Sequence, residues 1–480
     1  MQDTESSRTE SSRTAPLAPV PFDPASTPDW IGPLDRAAGP LYAQILAALE
    51  DAVARGVLRP GERLPTQRAL AEQLQVDLTT VTRAYSEARH RGLIDAVTGR
   101  GSFIPGGSGA AVPALDLSML MPPPPRGLSL GALVERGLAS LLARSNADVL
   151  MAYHIGPGAA PDRLAATQWL EPALGAVDPR RVVITPGTQP ALAALLSMLA
   201  EPGEVILAEP ETYPGFLAAS AALHLTVAPV ACDAQGLEPE ALARACETLK
   251  PRALYVQPTI QNPTTRTMPP ARRHEIAAVA SAYRLTVIED DPYSRLIDQP
   301  ALALAALLPE SAYHVATLAK CLTPGLRTAF VTVPQREDPE RLAAALRALT
   351  LMPAPLMSAL ATRWIATGTA THLLGAIRRE ARERQHLARA LLPAGSHAHP
   401  DGLHVWQPLP ARWDSARLIE AARRQGLGIM PAEAFSVDGT ARQAVRIALG
   451  AVADRARLAE ALGGLAALIE GKEERSGARG

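Results

Sequence analysis

The chain has 480 residues, 47% of them hydrophobic, with 47 basic and 48 acidic side chains and a formal charge of −1. That length exceeds one ordinary domain, and the apolar share suffices for a large buried core. The near-neutral balance excludes wholesale coating by nucleic acid, but it leaves room for a local basic reader.

Residues 1–38 read as a disordered N-terminal tail, because the stretch to about Thr27 is rich in Ser, Thr, Glu, Arg and Pro. It lacks the apolar core of a signal peptide. No stretch of the chain approaches the ~18 apolar residues of a membrane span, so no membrane partner is expected. Three cysteines, Cys232, Cys246 and Cys321, show neither metal-ligand spacing nor a disulfide framework. No metal site is expected, and a reducing cytoplasm fits.

Residues 39–104 change character. Leu41, Ile45, Leu49 and Val53 recur at four-residue steps, which predicts an amphipathic helix stopped by Gly56 and Pro60-Gly61. Pro65-Thr66 opens a second helix carrying Leu70, Ala71 and Leu74. Asp77 caps a third, running through Val81, Ala84 and Tyr85. Leu93–Val97, the turn Thr98-Gly99-Arg100-Gly101 and Ser102-Phe103-Ile104 predict a β-hairpin wing. Two helices joined by so tight a break can present the second to a major groove.

Three motifs occur in order: Pro65-Thr66-Gln67-Arg68-Ala69-Leu70-Ala71, Val81-Thr82-Arg83-Ala84-Tyr85 and Gly99-Arg100-Gly101-Ser102-Phe103. The segment resembles the winged helix-turn-helix reader of the GntR family. That resemblance implies that Arg68 and the third helix approach double-stranded operator DNA, with the Arg100-Gly101 tip reaching a groove. Arginine can grip a phosphate or a guanine edge, and Thr79, Thr80, Thr82 and Arg83 can hydrogen-bond to bases or phosphates. Leu78 departs from the pattern, standing where family members often carry a polar or basic side chain.

Residues 105–114 are a Gly/Ser/Pro linker, and residues 115–470 form a long α/β alternation before a solvated tail, 471–480. Apolar β-rich runs fall at Arg181–Ile184, Val205–Ala208, Leu225–Val230, Ala253–Val256, Thr286–Glu289, His314–Thr317 and Thr328–Val333. Their alternation with Ala- and Leu-rich segments predicts a mainly parallel sheet covered by helices, with ligand sites at the carboxyl ends of its strands.

Several motifs sit at those ends: Thr185-Pro-Gly187-Thr188-Gln189, Glu209-Pro-Glu-Thr-Tyr213, Gln261-Asn262-Pro-Thr264, Glu289-Asp290-Asp-Pro-Tyr293, and Thr317-Leu-Ala-Lys320 ahead of Pro324-Gly-Leu-Arg327. The ordered set resembles fold-type I, class I/II aminotransferases, whose cofactor is pyridoxal 5'-phosphate. A Schiff-base lysine, an acidic partner for the pyridine nitrogen and a phosphate cup are what that cofactor needs. By the resemblance, Lys320 forms the Schiff base and Asp290 pairs with the ring nitrogen. Asn262 and Tyr293 bond the ring's phenolic oxygen, and Tyr213 stacks on its face. Thr188, Gln189, Thr317 and Arg327 meet the phosphate, with Tyr153 reaching in from a partner subunit. Arg446, in Val445-Arg446-Ile-Ala-Leu-Gly450, resembles the arginine that clamps a substrate carboxylate. Two departures stand out: Thr265 replaces a common glycine, and Ala319 replaces a common hydroxyl residue. Cys321 reads as a packed small hydrophobe rather than a nucleophile.

The two halves together resemble the MocR subfamily of GntR regulators. The resemblance implies a homodimeric, DNA-binding transcription regulator sensing an amine, an amino acid or vitamin B6. The alternative is a working aminotransferase carrying an accessory DNA-binding domain.

Overall fold

The computed structural model describes residues 28, 30–35, 39–55, 57–58, 62–90, 93–97, 101–104, 115–440 and 442–471. The stop signals at Gly56 and Pro60-Gly61, the wing tip Thr98–Arg100, the linker at 105–114 and the tail after 471 lie outside the described residues, as do 1–27. The chain divides into two compact units, Met1–Ala111 and Val112–Gly480.

In the small unit, helix α1 (Leu41–Ala54) buries Ile45, Leu46, Leu49 and Ala52. Helix α2 (Gln67–Gln73) begins where the Thr66 hydroxyl accepts a hydrogen bond from the Ala69 amide at 3.2 Å. Helix α3 (Leu78–His90) begins where Asp77 Oδ1 accepts from the Thr79 amide at 2.8 Å. Such caps satisfy amides that a helix start leaves without partners. Val81, Ala84, Tyr85 and Ala88 form the buried stripe of α3, and the Tyr85 hydroxyl donates to the Pro65 carbonyl at 3.0 Å, tying α3 to the start of α2. Strands β1 (Asp95–Val97) and β2 (Gly101–Phe103) pair antiparallel. The wing gains a third member that periodicity does not show: Leu64 N donates to Ser102 O and Ile104 N to Glu62 O, both at 2.9 Å.

One expectation is corrected. The reading of 1–38 as a tail fails at Trp30 and Ile31, which are only 7% and 5% exposed and belong to the small unit's core. Gln44 of α1 fastens this segment, accepting from the Asp35 amide at 3.0 Å and donating to Asp35 O at 2.7 Å. An isolated apolar pair in a Pro- and Gly-rich stretch has no period to reveal it.

The large unit is built on seven strands: β3 (Val182–Thr185), β4 (Val205–Ala208), β5 (Thr226–Pro229), β6 (Ala253–Val256), β7 (Thr286–Asp290), β8 (Ala312–Thr317) and β9 (Ala329–Thr332), ordered β3-β9-β8-β7-β6-β4-β5. All pairings are parallel except those of β9, which runs against both neighbours. Alternate residues feed opposite cores. Tyr255 and Ile288 enter one apolar cluster, Leu254 and Val287 another, as the two-residue period of a strand requires. The helix α4 (Thr188–Leu199) follows β3 directly and adds Ala191, Leu192, Leu195 and Leu196 to the first cluster. A smaller antiparallel sheet contains β10 (His397–Ala398), β11 (His404–Pro408), β12 (Met430–Pro431) and β13 (Ala444–Ala448), ordered β10-β11-β13-β12. Near the beginning of the large unit, Leu115–Asp116 pairs in parallel with Leu427–Gly428. Among the described residues no helix is long and apolar enough to cross a membrane.

The core role of Trp30 is testable. Trp30→Ala is expected to cost the small unit about 3–5 kcal/mol. Hydrogen exchange should accelerate in α1 and α3 while the seven-stranded sheet keeps its protection.

Candidate functional site

A cavity of about 300 Å³ opens at the carboxyl ends of β6, β7 and β8, with Thr188, Tyr213, Asn262, Asp290, Tyr293, Thr317, Lys320 and Arg446 in its lining. Segments as distant in sequence as β3–α4 and β13 thus converge there, where an open α/β sheet places its ligands.

Asp290, the last residue of β7, is 2% exposed. Its Oδ2 accepts from the Tyr255 hydroxyl and from Gln257 Nε2, each at 2.7 Å, while Oδ1 is buried with no hydrogen-bond partner among the described residues. Burial pushes the carboxyl up to about 6, against the pull of those two donors. Glu289 and Asp291 turn elsewhere. Glu289 accepts from Ala305 N at 2.8 Å, and Asp291 takes the Ser294 amide at 2.9 Å and His314 Nε2 at 3.2 Å. Asp291 is therefore the turn residue, and Asp290 is the one that faces the cavity.

Lys320 follows β8 and donates from Nζ to the Leu120 carbonyl at 2.6 Å. Burial first, then the nearby Arg446, lowers its amine to about 8, with Asp290 opposing. Arg446, on β13, is 4% exposed. Its Nη1 donates to Asn262 Oδ1 at 2.9 Å and its Nη2 to the Ser118 carbonyl, and its guanidinium carbon stands 5.0 Å from the Phe435 ring centre. Burial lowers it to about 10, so it keeps its charge at neutral pH, and its Nε is buried without a partner.

At the β3–α4 turn, Gly187 has φ +99°, and a Cβ there would lie 3.0 Å from Arg327 Nη2. Only glycine suits so close an approach. Arg327 Nη2 also donates to the Pro186 carbonyl at 3.2 Å. A guanidinium therefore stands beside the free amides of the first turn of α4, a combination that suits an anion. Thr188 lines the cavity from that turn, and Thr317 does so from the end of β8.

The side chain of Gln189 is engaged within the protein. It donates from Nε2 to Gly215 O at 2.6 Å and accepts from the Tyr213 hydroxyl at 3.3 Å, so it braces Tyr213. Tyr213 and the buried Tyr293 both line the cavity. Tyr153 does not join them within one chain, being 74% exposed. Cys321 is buried, with its thiol pushed up to about 12 by burial, which suits a packing role. The sequence reading missed Tyr255, Gln257 and the carbonyls of Ser118 and Leu120. Gln257 immediately follows β6, so the strand-end rule could have found it; the carbonyls carry no side-chain signal.

In the small unit, Arg68, Thr79, Thr82 and Arg83 are exposed and Thr80 is half-buried. The Arg83 guanidinium carbon lies 4.0 Å from the Tyr42 ring centre, Thr82 donates to Gln67 Oε1 at 2.9 Å, and the Thr79 hydroxyl donates to Asp77 at 2.6 Å. Leu78 is 40% exposed, on the surface rather than in the core. Arg100 lies outside the described residues. Arg63, not singled out from sequence, is exposed beside Gly101, where a Cβ would lie 3.2 Å from its Nε.

Comparison with known proteins follows the same division. Residues 41–104 match bacterial regulatory proteins of the gntR family, and residues 162–465 match aminotransferase class I and II. The uncharacterized HTH-type transcriptional regulator YdeF of Bacillus subtilis is 29% identical over 88% of this chain and 92% of its own length. The vitamin B6 salvage pathway transcriptional repressor PtsJ of Salmonella typhimurium is 27% identical over 86% of this chain and 94% of its own. Among solved structures, α-aminoadipate aminotransferase LysN of Thermus thermophilus, complexed with N-(5'-phosphopyridoxyl)-L-leucine, is similar with a TM-score of 0.68. It is 24% identical, over 81% of this chain and 98% of that one.

The lowered amine has a measurable consequence. Burial disfavours the ammonium, so the neutral, reactive form of Lys320 should grow in as pH rises through about 8. Peptide mapping after brief reductive methylation of cofactor-free protein at stepped pH should show Lys320 labelled about two units below ordinary lysines.

Proposed function

The chain belongs to the aminotransferase class I and II family, has a gntR-family segment ahead of that domain in the arrangement of MocR-type regulators, and we propose that it is a pyridoxal-phosphate-dependent transcription regulator. One observation carries the cofactor reading. The cavity holds an amine of lowered proton affinity and a buried carboxylate oxygen with no hydrogen-bond partner among the described residues. Those are the groups a pyridine aldehyde requires.

In this reading Lys320 is the attachment point and Asp290 Oδ1 accepts a hydrogen bond from the protonated ring nitrogen. Arg327, Thr188, Thr317 and the backbone amide of Gln189 hold the phosphate. Tyr293 and Asn262 flank the ring's phenolic oxygen, and Tyr213, braced by Gln189, lies against its face. Tyr153 serves the neighbouring subunit of a homodimer. When bound, pyridoxal phosphate supplies an aldehyde for primary amines and a ring that draws electrons from them. Arg446 takes the carboxylate of an amino-acid effector, since a guanidinium fork matches that group. Vitamin B6 itself is the other candidate signal, supported by the name of the Salmonella relative. The small unit binds operator DNA through Arg68, Arg83, Thr79, Thr80 and Thr82, with Arg100 and Gly101 at the wing. The reducing cytoplasm suits its three free cysteines.

A second reading, a working aminotransferase, is favoured by the same complete set of cavity residues. Repeated turnover of an amino donor with a 2-oxo acid, in a protein that binds no operator, would establish it instead. Reduction of the cofactor-loaded protein with borohydride, followed by peptide mapping, is expected to place the label on Lys320. A label on any other lysine would overturn the site. Lys320→Ala should keep a folded reader and DNA affinity while losing the transcriptional response to the amine.

For the reader, Arg68→Ala and Arg83→Ala are expected to weaken operator binding. A lost base contact costs about 1–3 kcal/mol and relaxes specificity at one position. A lost phosphate contact weakens all sequences alike and lowers the salt slope by about 1. Gel-shift titrations at two salt concentrations distinguish the two, and unchanged binding in both variants would remove this face from the interface.

A further inference from the structure

Asp290 owes its orientation to the neighbouring strand. Strand β6 pairs with β7 so that Tyr255 stands opposite Ile288. The Tyr255 hydroxyl and the Gln257 side-chain amide then both reach one oxygen of Asp290, each at 2.7 Å. Neither donor is free to turn away. The Tyr255 ring stacks on Phe216 with centroids 3.9 Å apart and planes within 4°. The Gln257 Oε1 accepts from the Asn262 amide at 3.3 Å. Flipping that amide would set an oxygen against the carboxylate and an NH₂ group against an N–H, so Nε2 must face Asp290. Tyr255 is 0% and Gln257 2% exposed, so neither donor is open to bulk solvent.

We propose that Tyr255 and Gln257 are positioning residues: by donating together to Oδ2, they hold Asp290 as a carboxylate rotated so that Oδ1 is presented to the ring nitrogen of the cofactor. This rests on the pyridoxal-phosphate reading above. The choice of donors matters chemically. A carboxylate this deeply buried tends to take up a proton and become neutral. A cationic partner would prevent that but would also compete with a protonated ring nitrogen for the negative charge. Two neutral donors stabilise the anion and leave its full charge for the ring. The phenol and the amide achieve this from one side, and among the described residues Oδ1 on the other side has no hydrogen-bond partner.

The test uses the full-length protein stripped of cofactor, titrated with pyridoxal phosphate and with 1-deazapyridoxal phosphate, in which carbon replaces the ring nitrogen. Binding is followed by visible absorbance. Tyr255→Phe keeps the ring and its stack on Phe216 and removes only the hydroxyl; Gln257→Leu removes the second donor. Each variant is expected to bind pyridoxal phosphate about tenfold more weakly. Affinity for the deaza compound, which has no ring proton to offer Asp290, should stay within about twofold or improve, so the wild-type preference for the nitrogen ring shrinks. Equal losses for both compounds would show that the two residues merely shape the cavity, and unchanged affinity for both would show no role; either result overturns the proposal. A wild-type protein that bound neither compound would overturn the cofactor reading itself, and this inference with it.

Discussion

Placing Asp290 at the carboxyl end of β7 takes a charge out of water, a cost that hydrogen bonds must help to offset. The sheet supplies them to one oxygen alone, from Tyr255 and Gln257. Three consecutive acids share this stretch, and the strand's alternation separates them. Glu289 accepts from the Ala305 amide with one oxygen, and Asp291 is held by Ser294 and His314, leaving Asp290 directed into the cavity. The seven-stranded sheet, with β7 flanked by β6 and β8, holds that arrangement rigid.

The two cations of the cavity are managed by a different device. Lys320 and Arg446 both donate to backbone carbonyls of one short segment, Leu120 and Ser118 respectively. Neutral acceptors steady the cations without consuming their charge in an ion pair. The segment is packed closely: Ala448 N donates to Leu117 O at 2.7 Å, and a Cβ on Gly450 would lie 1.7 Å from Met121 O. A ligand drawn to either cation therefore meets a group already tethered to this segment. The segment comes soon after the linker that joins the two units in sequence. Any signal passed that way depends on a ligand's unequal affinity for two arrangements of the chain, since equal affinity shifts nothing.

The small unit follows a similar economy. Thr66 and Asp77 start helices α2 and α3, Tyr85 locks them together, and Arg83 is steadied on the face of Tyr42. The caps and the lock turn local polar groups inward or onto each other. The arginines keep their charge outward, where a phosphate or a base edge can meet it.

Local patterning by itself determined much of this protein. Helix α1, the caps at Thr66 and Asp77, and strands β4 and β6 follow from the spacing of apolar residues and from residues with special backbone preferences, all within one turn or one strand of each other. The order of motifs at strand ends likewise marked the segments that hold Asp290, Lys320 and Tyr293, because an open parallel sheet brings such ends together. Tertiary structure decided the partners. Arg446 meets Asn262 across 184 positions, and Gln189 braces Tyr213 instead of offering its side chain to an anion. Trp30 becomes core only in the folded small unit, where it joins apolar residues brought together from several elements. Nothing in Glu289-Asp290-Asp291 alone states which acid faces the cavity or that Tyr255 and Gln257 will fill one of its oxygens. Periodicity records which face of an element is buried. It does not record which distant segment covers that face, and hydrogen-bond pairing inside a low-dielectric core depends on that second fact.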